Sequence, residues 1–425
     1  MPADPVPADP VRADPVFAAR EDAVAADDRD PLAFARARFS LPAGRTYLDG
    51  NSLGPLAASV PGAIDDAIAR QWGRDLIMSW NDNGWWTLPG RLGDRIGRLI
   101  GAAAGQVSCG DSTSVQLFQA LVAAARLRPE RRTMIIEAGG FPTDQYIADS
   151  VARLLGLTVW RVTADELAHA LDQDTAVVAF SVVDYRTGEL ADVAGVTRTA
   201  HLAGAVVVWD LCHAAGALAV ELDAIEADFA VGCGYKYLNG GPGAPAWIYI
   251  ARRHQPSADL PLTGWHGHAD PFALAADYSP ATGIDRARIG TPPLLSMLAF
   301  EAALEVWDGV SLATLRTKSL SLGRLVIDFA DARLPGVEVV TPRQDERRGS
   351  HVALRLPDAY AACQALIARG VIGDFRAPDL LRLGLAPLYL SHVEVWDAMT
   401  VLREVLSSGA YRDAAYSRTA RGTVT

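Results

Sequence analysis

The sequence predicts an α/β protein: a large domain whose mainly parallel sheet lies between helices, followed by a smaller C-terminal α+β domain. Three observations carry this. Between Thr133 and Ile250 the short apolar runs TMIIEA, LTVWRV, AVVAFSVV, AVVVWD, DFAVGCG and PAWIYI alternate with alanine-rich amphipathic stretches such as GVTRTAHLAG. These runs are continuously apolar and rich in β-branched residues, the pattern of strands covered on both faces. After Pro335 the texture changes to GVEVVTP, SHVALRLP, a helical DAYAACQALIARG, LLRLGLAP and a last helix from about His392, as in a separate α+β unit.

Taken in order, the chain opens on PADPVPADPVRADPV, which repeats Ala-Asp-Pro-Val. Recurrent proline removes donors and fixes φ, so residues 1–21 are expected to be a disordered tail. Residues 22–310 then form an N-terminal segment and the large domain, with SMLAFEAALEVW as a buried helix near its end. Residues 311–425 hold a long linking helix, SLATLRTKSLSLGRLVIDFADA, and the small domain. A chain of 425 residues, half of them apolar, exceeds what one core usually serves and has ample material for two.

Composition narrows the function. The formal charge of −11 and the lack of a basic stripe or arm argue against a nucleic-acid partner, leaving small molecules. The four cysteines are widely spaced with no C-x-x-C pair, which suits neither a disulfide framework nor a zinc site and points to a reducing cytoplasm. No secretory leader is visible and no apolar run reaches the roughly 18 residues that span a bilayer.

The chemistry centres on VGCGYKYLNGGPG, where Lys236 stands between Tyr235 and Tyr237 before a glycine-rich loop. A lone lysine usually extends its ammonium into water. Here the strand AVVVWD delivers Asp210 at its carboxyl end, 26 residues before Lys236, with Cys212 and His213 just beyond. Ligands of open α/β sheets collect at such strand ends. An aspartate there is by itself an ordinary helix cap. Together, a carboxylate and a lysine in one crevice suit a pyridine cofactor, the lysine forming an imine and the aspartate meeting a protonated ring nitrogen. Desolvation would lower the lysine pKa and make it a nucleophile. Ser112, Thr113 and Ser114 precede an apolar helix, where free N–H groups and the dipole favour a phosphate, although a plain cap reads the same way. Phe141, on a glycine-flanked loop with Asp144 nearby, could cover the ring. His266 and His268 have no further ligands at metal spacing, and GGPGAP lacks the ending of a nucleotide loop.

From about Asp22 to the last helix, YLDGNSLGPL, FPTDQY, DLCHAAGA, YKYLNGGPG, GWHGH and LRLGLAPLY resemble, in order, the signature stretches of the kynureninases, pyridoxal-phosphate hydrolases of fold type I. The resemblance implies hydrolysis of L-kynurenine to anthranilate and L-alanine through a ketimine of pyridoxal 5'-phosphate, a step of tryptophan catabolism on the kynurenine pathway to NAD. It implies that Lys236 carries the cofactor, Asp210 pairs with its ring nitrogen, and Phe141, Asp144 and His213 surround the ring. Thr113, Ser114 and Tyr235 would hold the phosphate, with Tyr235 a candidate proton donor. Arg382 would take the substrate α-carboxylate through its guanidinium fork. Trp265 and Thr291 would reach a cofactor site at the interface of a homodimer. His266 stands where an apolar or aromatic residue is expected. Alternatives are a class V aminotransferase or cysteine desulfurase, although Cys363 sits in a helix rather than a mobile loop, and a non-catalytic pyridoxal-phosphate-binding regulator, which would need a DNA-binding module.

Overall fold

The computed structural model describes residues 16–417, so the Ala-Asp-Pro-Val repeats lie outside the described residues. Order begins earlier than the sequence suggested. Phe17 is buried, and the amides of Val16 and Phe17 donate to Asp328 Oδ2 at 2.9 and 3.3 Å. Helix α1 (Arg20–Asp27) follows directly. An apolar anchor and a buried acceptor 311 or more residues away fix a stretch whose composition alone looks like tail.

The N-terminal segment continues through strand β1 (Thr46–Tyr47) and helices α2 (Val60–Asp66), α3 (Ser79–Asp82) and α4 (Leu88–Leu99). Next come β2 (Val107–Cys109), α5 (Thr113–Arg126), β3 (Thr133–Glu137), α6 (Pro142–Leu155), β4 (Thr158–Val162), α7 (Leu167–Ala170), β5 (Thr175–Ser181), α8 (Val193–Leu202), β6 (Val206–Asp210), β7 (Phe229–Gly232) and β8 (Trp247–Ile250). All six apolar runs are strands. The seven-stranded sheet has the order β2-β8-β7-β6-β5-β3-β4, with only β8 antiparallel to its neighbours. β2 is too short to show as a run in the sequence. Residues such as Val177, Val178, Val207 and Trp209 are fully buried, as a sheet covered on both faces requires.

Helices α9 (Leu294–Ala303) and α10 (Leu312–Arg333) lead to β9 (Glu338–Val339), β10 (His351–Arg355), α11 (Ala359–Ala368), β11 (Val371–Ile372), β12 (Asp374–Arg376), β13 (Leu380–Gly384) and α12 (His392–Ser408). A four-stranded antiparallel sheet has the order β12-β13-β10-β9, and β1 pairs in parallel with β11. Its register sets Asp374 on β12 directly opposite Arg382 on β13. Cross-strand neighbours of this kind are within side-chain reach. No described helix is long and apolar enough to cross a membrane.

Candidate active site

Strand order reverses between β3 and β5, since β3 leads to the edge strand β4 whereas β5, β6 and β7 proceed the other way. Crevices outside the carboxyl ends of strands at such a reversal are where open sheets bind ligands. A cavity of about 290 Å³ lies there, with Thr113, Ser114, Phe141, Asp144, Asp210, His213, Tyr235, Lys236 and Arg382 all in its lining. The structure thus brings together nine of the eleven residues singled out from sequence.

Asp210 ends β6, and its Oδ1 accepts from the amide of Cys212 at 2.7 Å, which fixes the carboxylate at the mouth of the turn. Asp144, in the first turn of α6, meets it there. Burial, then the neighbouring Asp210, raises the Asp144 carboxyl well above its ordinary range. Behind them burial pushes Glu137, at the end of β3, up to about 7, and its Oε2 accepts from the Ser181 amide at 3.1 Å. Carboxyls crowded at one end of a cavity favour a proton or a cation between them. Phe141, the cap residue of α6, packs edge-on against Tyr185 at 5.2 Å. Thr113 and Ser114 occupy the first turn of α5, and Ser112 caps that helix by accepting from Val115 N at 3.4 Å. The N-terminal N–H groups of α5 and two hydroxyls therefore border the cavity, a favourable setting for an anion.

Lys236 Nζ lies 3.4 Å from His213 Nε2, 5.9 Å from the Phe141 ring and 6.0 Å from the Tyr235 ring. Burial, followed by Lys236 and Arg382, drives the His213 pKa far down, so its imidazole is neutral. Burial raises the Tyr235 phenol, which keeps its proton. The lysine loop is pinned on three sides. Asn239 N donates to Lys236 O at 2.9 Å, Tyr237 Oη donates to Ser350 O at 3.0 Å on the small-domain side, and Gly54 N donates to Tyr235 O at 2.7 Å. A Cβ on Gly54 would stand 2.5 Å from Lys236 O, so only glycine permits this approach.

The far wall comes from the small sheet. Arg382, expected to take the substrate α-carboxylate, already has partners of its own. It is 1% exposed and paired with the fully buried Asp374. It also donates to Tyr185 O and to Ser52 Oγ at 3.0 Å. With the Asn51 amide turned so that its oxygen faces the guanidinium, that oxygen accepts from Nε at 2.9 Å and from Nη2 at 3.2 Å. A second arginine, Arg376, shares Asp374 at 2.8 Å and lines the same cavity. Asp49 is buried nearby, and burial, then Asp374, pushes it up to about 6. Sequence reading missed Arg376, Asp374, Asp49, Ser52 and Tyr185. The one available signal was DFRAPDLLR, two aspartates and two arginines leading into an apolar strand.

Trp265 and Thr291 do not line this chain's cavity. Both are exposed. Trp265 belongs to an aromatic cluster, with ring centroids 5.6 Å from Trp86, 6.4 Å from Trp80 and 6.2 Å from Phe272. His266 belongs to it too, stacked on Trp265 at 5.4 Å and edge-on to Trp86 at 4.5 Å. Burial, then Arg288, pushes His266 down to about 4, so it packs as a neutral ring where an aromatic was expected. Among the described residues no three or more His, Cys, Asp or Glu side chains are grouped as metal ligands.

Comparison with known proteins settles the family. Over 390 residues the chain is 48% identical to a kynureninase of Deinococcus radiodurans, covering 90% of this chain and 95% of that protein. Over 402 residues it is 45% identical to a kynureninase of Burkholderia pseudomallei, covering 92% and 97%. The chain belongs to the kynureninase family. A family model described as the kynureninase C-terminal domain matches residues 315–402, the stretch that carries Asp374 and both arginines. Solved structures share the kynureninase-family chain's fold at low identity. The apo cysteine desulfurase of Thermococcus onnurineus superposes with a TM-score of 0.76 at 18% identity, over 89% of this chain and 99% of that one. A C-DES variant with glycine covalently linked to its PLP cofactor superposes at 0.75 and 17%, over 87% and 99%. These likenesses establish the fold alone. Cys363, the cysteine weighed as a desulfurase nucleophile, is fully buried in α11, and burial pushes its thiol up to about 12.

Proposed function

We propose that this chain hydrolyses L-kynurenine to anthranilate and L-alanine with pyridoxal 5'-phosphate as cofactor. The observation that carries the reading is one cavity holding Lys236, the Asp210 and Asp144 carboxyls and a buried arginine pair, in a chain of the kynureninase family. The residues fit the cofactor. A protonated ring nitrogen relieves the crowding that raises Asp144, a phosphate suits the hydroxyls and N–H groups at the start of α5, and the Phe141 ring offers a face. When bound, the cofactor supplies the sink for the electron pair released on breaking the substrate's Cβ–Cγ bond.

The chain does the rest. Asp210, steadied by the Cys212 amide, would hold the proton on the ring nitrogen. Lys236 Nζ anchors the cofactor, removes the proton from the substrate Cα and returns one. Neutral His213 Nε2, 3.4 Å away, accepts a hydrogen bond from the lysine. Tyr235, still protonated, would donate to the phosphate. Arg382 receives the α-carboxylate, which orients Cα toward Lys236. The chain acts as a homodimer whose exposed Trp265 and Thr291 complete the partner's site, and it works in a reducing cytoplasm, in keeping with four free, buried cysteines.

Holoenzyme mixed with L-kynurenine should produce the fluorescence of anthranilate, with 3-hydroxykynurenine as a second substrate to compare. No anthranilate, or sulfide release from cysteine instead, would overturn the assignment. Mixed dimers of Lys236→Ala and Trp265→Ala subunits should recover part of the activity, and verified mixtures that recover none would place each site within one chain.

A further inference from the structure

The two arginines of the far wall differ in how many donors they have left. A guanidinium carries five N–H groups. In Arg382, Nε and both Nη2 hydrogens are taken by Asn51, Ser52 and Asp374, and Nη1 donates to Tyr185 O, so one Nη1 hydrogen remains. Arg376 has a single strong contact, Nη2 to Asp374 Oδ2 at 2.8 Å. Its bonds to Ser52 Oγ and Phe375 O are both 3.5 Å, at the outer limit, and its Nε is buried without a partner. A buried orphan donor on a charged group is costly unless something arrives to accept from it.

One carboxylate, Asp374, is the ion-pair partner of both guanidiniums, so neither has it to itself. The side chain of Arg376 is also 34% exposed where that of Arg382 is 1%, so it has room to turn toward a ligand.

The geometry points to Arg376 as a second carboxylate-binding residue, which closes on the substrate's α-carboxylate against the fixed Arg382 and supplies most of the new hydrogen bonding. This rests on the kynurenine-hydrolase reading above. Arg382 is then the immobile half of a clamp, held by Asp374, Asn51 and Tyr185, and Arg376 is the half that discriminates carboxylate from its neutral isosteres.

The test compares L-alanine with L-alaninamide as ligands of the holoenzyme, followed by the cofactor's absorbance, in wild type, Arg376→Lys and Arg376→Gln. L-alaninamide keeps the amine and methyl group and lacks only the carboxylate. Expected is a roughly tenfold to hundredfold weaker affinity for L-alanine in both variants, with L-alaninamide changed less than about threefold. For L-kynurenine the loss should appear in KM more than in kcat. Equal loss for both ligands, or none for either, would overturn the inference. Arg376→Lys keeps the charge that balances Asp374, so a normal melting temperature for that variant keeps the comparison valid if Arg376→Gln unfolds. A wild-type enzyme that makes no anthranilate would sink the reading of the reaction itself; a wild type that turns over while Arg376→Lys retains its preference for the carboxylate sinks only this assignment.

Discussion

The two walls of the cavity are built on opposite plans. The large-sheet wall is a row of strand and helix ends, each delivering one polar group from a short local motif: Asp210 at the end of β6, Asp144 and Phe141 at the start of α6, Thr113 and Ser114 at the start of α5, Lys236 in a pinned loop. Its groups meet one another only in part, Asp144 with Asp210 and Lys236 with His213, and the rest face the cavity ready for a ligand with matching polar atoms. The small-sheet wall is already a closed network, in which Asp374 bridges two guanidiniums and Asn51, Ser52 and Tyr185 occupy most of what remains. The first wall leaves its polar groups open to a ligand, whereas the second is closed upon itself before one comes. Damage to the first should therefore appear as lost chemistry with the fold intact, and damage to the second as lost stability.

The largest effect is expected at the first wall. Lys236→Ala should cut anthranilate production by about 10⁴ or more, since no other amine lines the cavity to move the Cα proton. The melting temperature should stay near that of wild type, and the absorbance band of the lysine-bound cofactor should vanish; an unchanged band would mean another residue holds it. Asp374→Ala sharpens the contrast from the other side. It removes the carboxylate that both guanidiniums share and leaves only Asp49 nearby, so urea denaturation should reveal a loss of about 3–5 kcal/mol, and a loss under about 1 kcal/mol would show the network to be structurally idle.

Asp210→Asn returns to the first wall with a milder change. The amide cannot hold the ring nitrogen protonated, so turnover should fall roughly a hundredfold while cofactor and stability are retained. Near wild-type turnover would assign the ring nitrogen to Asp144. The smallest effect concerns Asp49, whose folded-state value of about 6 exceeds its ordinary 3.8. A raised carboxyl stabilises the fold fully below the ordinary value, and that contribution is lost as pH rises through about 6. Asp49→Asn should remove this loss, so the variant should gain up to about 2–3 kcal/mol on wild type between pH 4.5 and pH 7.5, read from denaturation curves at both ends. A difference that does not change with pH would mean Asp49 stays ionised in the fold.

The same contrast decides what could be read from sequence. The first wall was legible because each of its residues announces itself locally: a polar residue at the end of a continuous apolar run, hydroxyls ahead of an apolar helix, a lysine before glycines. The six apolar runs were legible for the reason that they are buried on both faces. β2, at three residues, and β12 were too short to stand out. Without β12 the partner of Arg382 could not be found, because Asp374 reaches it through antiparallel register rather than proximity in the chain. Asp49, Asn51 and Ser52 were hidden more deeply, since their partners on β12 and β13 lie some three hundred residues on; Arg382 and Ser52 are 330 apart. The ordering of residues 16–21 was missed for the same reason, its cause being Asp328.

That stretch from Leu48 to Gly54 also touches both sheets. Leu48 O accepts from Gly384 N at the end of β13, Ser52 bonds to Arg382, and Gly54 N donates to Tyr235 O beside the lysine. A ribosome makes Ser52 of this clasp 330 residues before its receptor Arg382 on β13. Until β13 emerges the segment lacks its partners on the small sheet, and the cavity stays open on that side. Chains terminated before β13 would keep Lys236 and Asp210 yet never assemble the site.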